Sequence, residues 1–358
     1  KQRSGMDEGE TRALLNQTVQ PDELVELRKL ADDVSHPELQ ESARKRLNGL
    51  AFKERITRAE DLKAKSFLVS KQIASVQLDK STEFYIDVIH DSYNETTAET
   101  IIRQVEQTKS DQIISVRNGK KHGSKIEASK QTQKRDVPIE VWNDPDIRST
   151  DYEFKELSTK YTKNILDSHW HGSNYSKRIW KDTEALAKRL EELFTVESMT
   201  GMSEFEMAKA IATEFDRSIG VVQRLIRTEA NYMANQAKLK AWRDRGVKEY
   251  RLIAVLDLRT SEICQKKDGK IYLVSEAVVN GEAGTYPPFH PWCRTVAVAI
   301  IGKRSLTGKR IAHDPISGKT ITMEQRETYD DWMNKLKQRY SKKEIELQKK
   351  KLRNYRKK

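Results

Sequence analysis

Cysteine is nearly absent: the 358 residues hold only Cys264 and Cys293. Two thiols exclude a disulfide framework and predict a chain made in a reducing cytosol. Long apolar runs are missing too. None approaches the ~20 residues that cross a bilayer, so no membrane span is expected. Aromatic residues are few, at 7 %, whereas charged residues reach 34 %. That balance suits amphipathic, solvent-bathed helices better than a compact enzyme body. The length allows two domains with their own cores.

The net charge of +12 is unevenly placed. From Lys335 to Lys358 there are twelve Lys or Arg against two Glu, an excess of ten, which leaves about two for everything before. The basic pI therefore describes a basic tail and not a basic fold. With Tyr340 and Tyr355 interleaved, Lys349, Lys350, Lys351, Arg353 and Arg356 could neutralise phosphates along DNA. A solvated helix end or an acidic protein partner would use the same residues.

The hydrophobic period marks the helices. Residues 21–35 begin at a proline, carry acids in the first turn and set Leu24, Leu27 and Leu30 on one face. A second pattern runs from about Pro37 to Val76 and is expected to break near Gly49. Residues 81–108 are again helical, with Phe84–Ile89 open to a strand reading. Residues 117–136 have no period, two glycines and many lysines, and read as a linker or a DNA-brushing loop, followed by a turn-rich connector at 137–149. Beyond it, Ile179, Thr183, Leu186, Leu190 and Leu193 define one amphipathic helix. Ser203 and Glu206 form a capping box in front of a second. A third spans about Ile219–Arg245, with Gly246 where a C-terminal cap belongs.

The stretch 250–300 organises the rest. Leu252–Leu256 and Thr295–Ile301 read as strands. Between them lie a turn at Lys267–Lys270 and the pair Pro287-Pro288. Residues 308–320 read as a turn-rich peptide, and a helix is expected from Met323 into the tail.

The chemistry-bearing residues gather in this stretch. His290 and Cys293 are three apart and Cys264 lies across the loop. One structural zinc would tie both ends of the loop, with Asp257, Asp268 or water as a fourth ligand. Metal-free packing of two thiols and a hydrogen-bonded histidine is a second reading, and a Cys264–Cys293 disulfide a third. A zinc deaminase would need Glu two residues after His290 and Pro-Cys-x-x-Cys; Trp292 stands at the first of these positions. A thiol protease would need a third orienting group. No catalytic residue is assigned. Arg227, Thr228, Glu229, Asp257, Arg259 and Arg294 are charged or polar residues in apolar context. Arg227 and Glu229 cannot face each other on a helix. The economical expectation is that Arg259 or Arg294 meets Glu229 or Asp257 and pins the third helix to the β unit.

Four runs, WHGSNYSKRIW (170–180), RLIRTEANYMANQA (224–237), LDLRTSEICQKKDGK (256–270) and PPFHPWCRT (287–295), occur in order. Together they resemble the phage head morphogenesis family, the minor head proteins similar to Mu F protein and the SPP1 minor head protein. The resemblance covers about 160–300. It implies a non-enzymatic component of the virion, present in the host cytoplasm during assembly. Its implied partners are the portal protein and the major capsid and scaffold proteins, with a role in retaining or delivering phage DNA. Many members carry Cys-x-x-Cys after Asp-x-Arg-Thr; here Ser261 takes the first place and only Cys264 remains.

The expected fold is α+β. An elongated helical arm (1–116) and a linker (117–149) precede a Mu F-like domain of three helices and a small antiparallel sheet (150–301). A C-terminal extension with a basic helical tail (302–358) follows.

Overall fold

A computed structural model describes residues 7–51, 56–118, 155–170, 172–195, 204–302 and 307–355. The first two residues of the expected linker, Arg117 and Asn118, are still helical, and the rest of it, its connector and the Ser203 cap lie outside the described residues. The architecture is α+β, in two compact units. One comprises Lys1–Ile89, Thr162–Met233 and His290–Trp292; the other comprises His90–Tyr161, Ala234–Phe289 and Cys293–Lys358.

The first unit is helical. Helix α1 (Glu8–Leu15) opens on a capping box, in which Asp7 accepts from the Glu10 N–H at 2.8 Å and Glu10 accepts from the Asp7 N–H at 2.9 Å. Proline starts α2 (Pro21–Asp32), and α3 (Pro37–Ala51) stops just past Gly49. Helix α4 (Arg58–Asn118) then runs unbroken, and its N-terminal part belongs to this unit. No strand interrupts it at Phe84–Ile89. The sequence from 58 to 118 has neither Gly nor Pro, and extending a formed helix costs no new nucleus. Its buried residues include Ala64, Leu68, Ala74 and Tyr85 together with Ser66, Ser70 and Ser75, so more than one side of the helix is covered. The hydroxyls of Ser66 and Ser70 donate to carbonyls one turn back. Ser75 instead joins the α2–α3 turn, at 2.6 Å from Ser35 Oγ, and accepts from the His36 N–H at 2.7 Å.

Helix α5 (Thr159–Asp167) comes next. In α6 (Tyr175–Leu193), Asn174 caps the first turn, and Ile179, Thr183, Leu186 and Leu190 are buried as their spacing predicts. The second and third helices expected after it are one, α7 (Glu204–Asp244). Gly220 lies inside it, a cost of about 1 kcal/mol that the helix absorbs. Gly246 ends it with φ +68°, and the Val247 N–H reaches back to the Trp242 carbonyl at 2.9 Å, a Schellman closure.

The second unit holds the sheets. Strand β1 (Glu249–Ile253) is central, flanked antiparallel by β2 (Ile271–Leu273) and β3 (Val296–Ile300). Helix α8 (Glu262–Lys267) lies between β1 and β2 in the chain. Alternation sends Tyr250, Leu252, Ala297 and Ala299 to one face, where Trp242, Tyr286, Phe289, Cys264 and Cys293 complete a core. The turn at Gly269 has φ +79°, and a Cβ there would meet the Thr328 methyl at 2.9 Å, so only glycine fits.

Two expectations about the C-terminus are corrected. Residues 308–320 are not merely a turn-rich peptide: Lys309–His313 forms β4, paired with β5 (Thr320–Glu324), and Met323 is a strand residue. The alternating burial of Arg310 and Ala312 carries the strand period through a segment poor in apolar residues. The helix begins later, as α9 (Tyr329–Arg339) behind a Thr328–Asp331 capping box, and α10 (Lys342–Tyr355) follows. Leu336 of α9 and Ile345 of α10 pack with Trp332, Tyr329, Ala312 and Met323. The basic tail is thus partly core.

Candidate functional site

The first cluster is built from the β unit and the loop before β3. Ser261 caps α8 by accepting from the Cys264 N–H at 3.3 Å, which sets Cys264 in the first turn, buried. Cys293 is buried too, and its Sγ lies 3.8 Å from that of Cys264. The two sulfurs are not bonded to each other, so the disulfide reading is not what the structure holds. His290, three residues before Cys293, is half-buried. Nδ1 of His290 is 2.7 Å from the Pro291 carbonyl oxygen. A carbonyl only accepts, so Nδ1 is the donor in this contact. The contact with the Cys264 thiol, reinforced by burial, pushes the Cys293 pKa far above its ordinary value.

Neither aspartate considered as a fourth ligand joins this group. Asp257 is held by the Arg294 guanidinium in a two-pronged pair at 2.6 and 2.8 Å, with Thr260 Oγ1 and the Arg259 N–H also donating to it. Burial works against its charge, yet these donors outweigh burial and hold its pKa below the usual carboxylate value. Asp268 is fully buried and faces Arg310 at 3.0 Å.

The second cluster lies in the helical unit. Glu229 of α7 is buried and accepts from the indole N–H of Trp170 at 3.1 Å and from the Arg178 guanidinium of α6. Arg178 also donates to the carbonyls of Trp170 and Ser173 and lies over the Trp170 ring, 5.2 Å from its centroid. Trp170 in turn stacks on Tyr232 at 5.5 Å. Burial raises the Glu229 pKa despite the opposing Arg178 charge. The group opens on a cavity of about 400 Å³ whose lining includes Lys181, Asp182, Arg224 and Pro291.

The expected charge network is therefore divided. Arg294 does meet Asp257, and Arg259 lies 3.6 Å from the same carboxylate, but this links two ends of the β unit and does not pin the helix. Glu229 pairs with Arg178, a residue the charge argument passed over. Among the described residues Arg227 forms no ion pair with a carboxylate; its guanidinium lies over the Trp292 ring, 5.2 Å from the centroid. Thr228 Oγ1 receives the Trp292 N–H at 3.4 Å. The run 170–180, one of the four that carry the resemblance, contains both Trp170 and Arg178 and is the sequence signal for this pair. Among the tail residues, Lys349, Lys350 and Lys351 are exposed on α10. Arg356 and the Arg353 side chain lie outside what is described.

These positions carry the motifs in which the resemblance was seen, now with a geometry. Residues 184–298 match the family described as Phage Mu protein F like protein. The Mu F-like segment runs from within α6 to β3 and holds Glu229, Asp257, Cys264, His290, Cys293 and Arg294, while Trp170 and Arg178 lie just ahead of it. No curated protein and no solved structure matches the chain.

Proposed function

We propose that this chain is a phage minor head protein. It acts without enzymatic chemistry in head morphogenesis, docking on the portal and on major capsid or scaffold proteins in the host cytoplasm and remaining in the virion. The Mu F-like match over 184–298 carries this reading. It is supported by large apolar side chains left in solvent on helices of the first unit: Phe205 at 76 %, Val76 at 60 % and Ile219 at 55 % exposure. Apolar anchors spaced along helices are what helix-in-groove docking uses, and none of the three is needed for its own unit's core. Co-expression of the full chain with the portal, capsid and scaffold proteins of the same phage tests this. Co-purification with at least one of them is expected, weakened when Phe205 and Val76 are replaced by Asp. Binding to none would overturn the reading.

A second reading, DNA binding through the basic end, draws support from the exposed run Lys349–Lys351 on α10. Deleting 335–358 would remove Leu336 and Ile345 from the core and so confuse folding with binding. The sharper test replaces the three lysines by Gln. The slope of log affinity against log salt should then fall by about 2–3, close to one per phosphate contact. An unchanged slope removes this reading.

A further inference from the structure

We propose that the cavity beside Glu229 is a recognition site for a carboxylate side chain on an acidic peptide segment of a protein partner. It rests on the head-assembly reading only for where that partner comes from. The cavity, of about 400 Å³, is lined by residues of the helical unit alone, from α6, α7, Trp170 and Pro291. Trp170, Leu225 and Thr228 are buried and form its floor. Lys181 and Arg224 are exposed and stand at its mouth. A concave, largely apolar floor with a few charged groups around it is the usual form of a ligand site.

Charge decides the sign of the occupant. Five charged side chains line the cavity: Arg178, Lys181, Asp182, Arg224 and Glu229. Arg178 neutralises Glu229 in their buried pair, so neither charge is left for a ligand. That leaves Lys181 and Arg224 against Asp182, an excess of one positive charge by subtraction. Among the described residues neither Lys181 nor Arg224 forms an ion pair. Burial raises the pKa of Asp182 against the pull of Arg224 and Lys181. Two unpaired cations over an apolar floor favour an anion on an apolar stem, which a glutamate or aspartate side chain provides. Phosphates on a nucleic-acid backbone would reach the mouth without filling the floor.

The rim adds an anchor. Trp292 follows Pro291 of the lining, is 45 % exposed and has φ +62°, the one described non-glycine residue in the left-handed region. That conformation is costly for a bulky side chain and persists where the surroundings demand it. Local contacts hold it: the Trp292 N–H donates to Thr228 Oγ1 at 3.4 Å, and the Arg227 guanidinium lies over the ring. Core packing would account for a strained indole that was buried, but this one is displayed beside the cavity. Trp and Arg are the residue types that dominate protein interfaces. Arg227, exposed and without a carboxylate of its own among the described residues, adds a cation for an acidic segment lying across the ring.

The test uses the full chain and a fluorescein-labelled synthetic peptide of alternating glutamate and leucine, read by anisotropy. Controls are the same peptide with glutamine for glutamate and a single-stranded DNA oligonucleotide of equal charge. Saturable binding of the acidic peptide is expected, weaker in high salt, with the glutamine peptide about tenfold poorer. Replacing Lys181 and Arg224 together by Gln should weaken binding about fivefold, and Asp182→Asn should tighten it about twofold by removing a repelling charge. Trp292→Gly takes away the indole yet accepts φ +62° without strain. It should keep the unfolding midpoint while affinity falls about tenfold; a lowered midpoint with unchanged affinity would remove Trp292 from the site. No binding of the acidic peptide, equal binding of the glutamine peptide, or weaker binding in Asp182→Asn would overturn the proposal. Tighter binding of the oligonucleotide, lost in the Lys181 and Arg224 double variant, would make this a phosphate site and overturn it as well. Peptide binding without co-purification of any head protein would sink the assembly reading and leave the site standing. Co-purification with no peptide binding would do the reverse.

Discussion

Each unit contains a buried carboxylate–arginine pair, and the two do different work. In the helical unit Glu229 and Arg178 belong to helices that form regardless, and their pair orders side chains: an indole, a guanidinium and a carboxylate around one point. In the sheet unit Asp268 and Arg310 hold backbone. Asp268 accepts from the Ala254 N–H at 2.7 Å. Arg310 donates to the Ala254 carbonyl at 2.5 Å and to the Glu327 carbonyl at 2.8 Å. Strand β1 ends at Ile253, so these bonds satisfy the first backbone groups past its last ladder partner and tie the β4–β5 hairpin to it. A helix satisfies its own backbone internally, whereas a strand end must find partners elsewhere. The same residue pair thus positions side chains in one unit and substitutes for missing secondary structure in the other.

The difference can be broken first in the sheet unit. Arg310→Ala strands the Asp268 charge and leaves the Ala254 carbonyl without this donor. Breaking a buried pair from one side costs about 3–5 kcal/mol, and the loss should appear as faster amide exchange across 249–256 and 309–324. Continued protection of the hairpin amides would show that the pair does not hold it. Glu229→Gln is milder, because an amide oxygen can still accept from Trp170. A loss of about 1.5–3 kcal/mol is expected, with a changed near-ultraviolet signal from Trp170 while helix content is kept. Loss of helix content would mean that the cluster holds backbone here as well.

The smallest effect sharpens the contrast through its sign. Glu229 has its pKa raised by burial, so its contribution is fully present below the unfolded value of about 4.3 and is lost as pH rises through the folded one. Asp257 is partly solvated and has its pKa lowered because the Arg294 fork outweighs its burial. Its contribution is present above about 3.9 and is lost as pH falls through the folded value. Unfolding midpoints of Glu229→Gln and Asp257→Asn, each subtracted from the wild type, should therefore slope in opposite directions with pH. The Asp257 effect should stay under about 1 kcal/mol because the pair is solvent-screened. Parallel slopes would remove the distinction between the two environments.

Much of this was legible beforehand for a physical reason. Helix periodicity is local, so α2, α6 and the Gly246 stop could be read from spacing alone, as could the turn at Gly269. The joining of the two helices expected between 203 and 245 was not readable, since Gly220 is tolerated inside a helix that neighbours support. The β4–β5 hairpin was missed because its buried positions are Arg310, Ala312 and Met323, too polar or too sparse to signal a strand by hydrophobicity. Within the candidate site, the convergence of Cys264 with Cys293 followed from two flanking strands and a turn between them. The partner of Glu229 did not follow, because several arginines were equally available by charge.

By itself the sequence determined the helices α2 and α6, the stop at Gly246, that the thiols and imidazole lie at the two ends of one loop, and the Mu F-like motifs. Those properties depend on neighbours within a few residues, or on the order of motifs along the chain. Only the tertiary structure decided that Arg178 and not Arg259 or Arg294 neutralises Glu229, that Arg310 takes Asp268, and that the basic C-terminal helices contribute Leu336 and Ile345 to a core. Buried charges pair with whatever packing brings within reach, and reach is set by how elements distant in sequence close on one another.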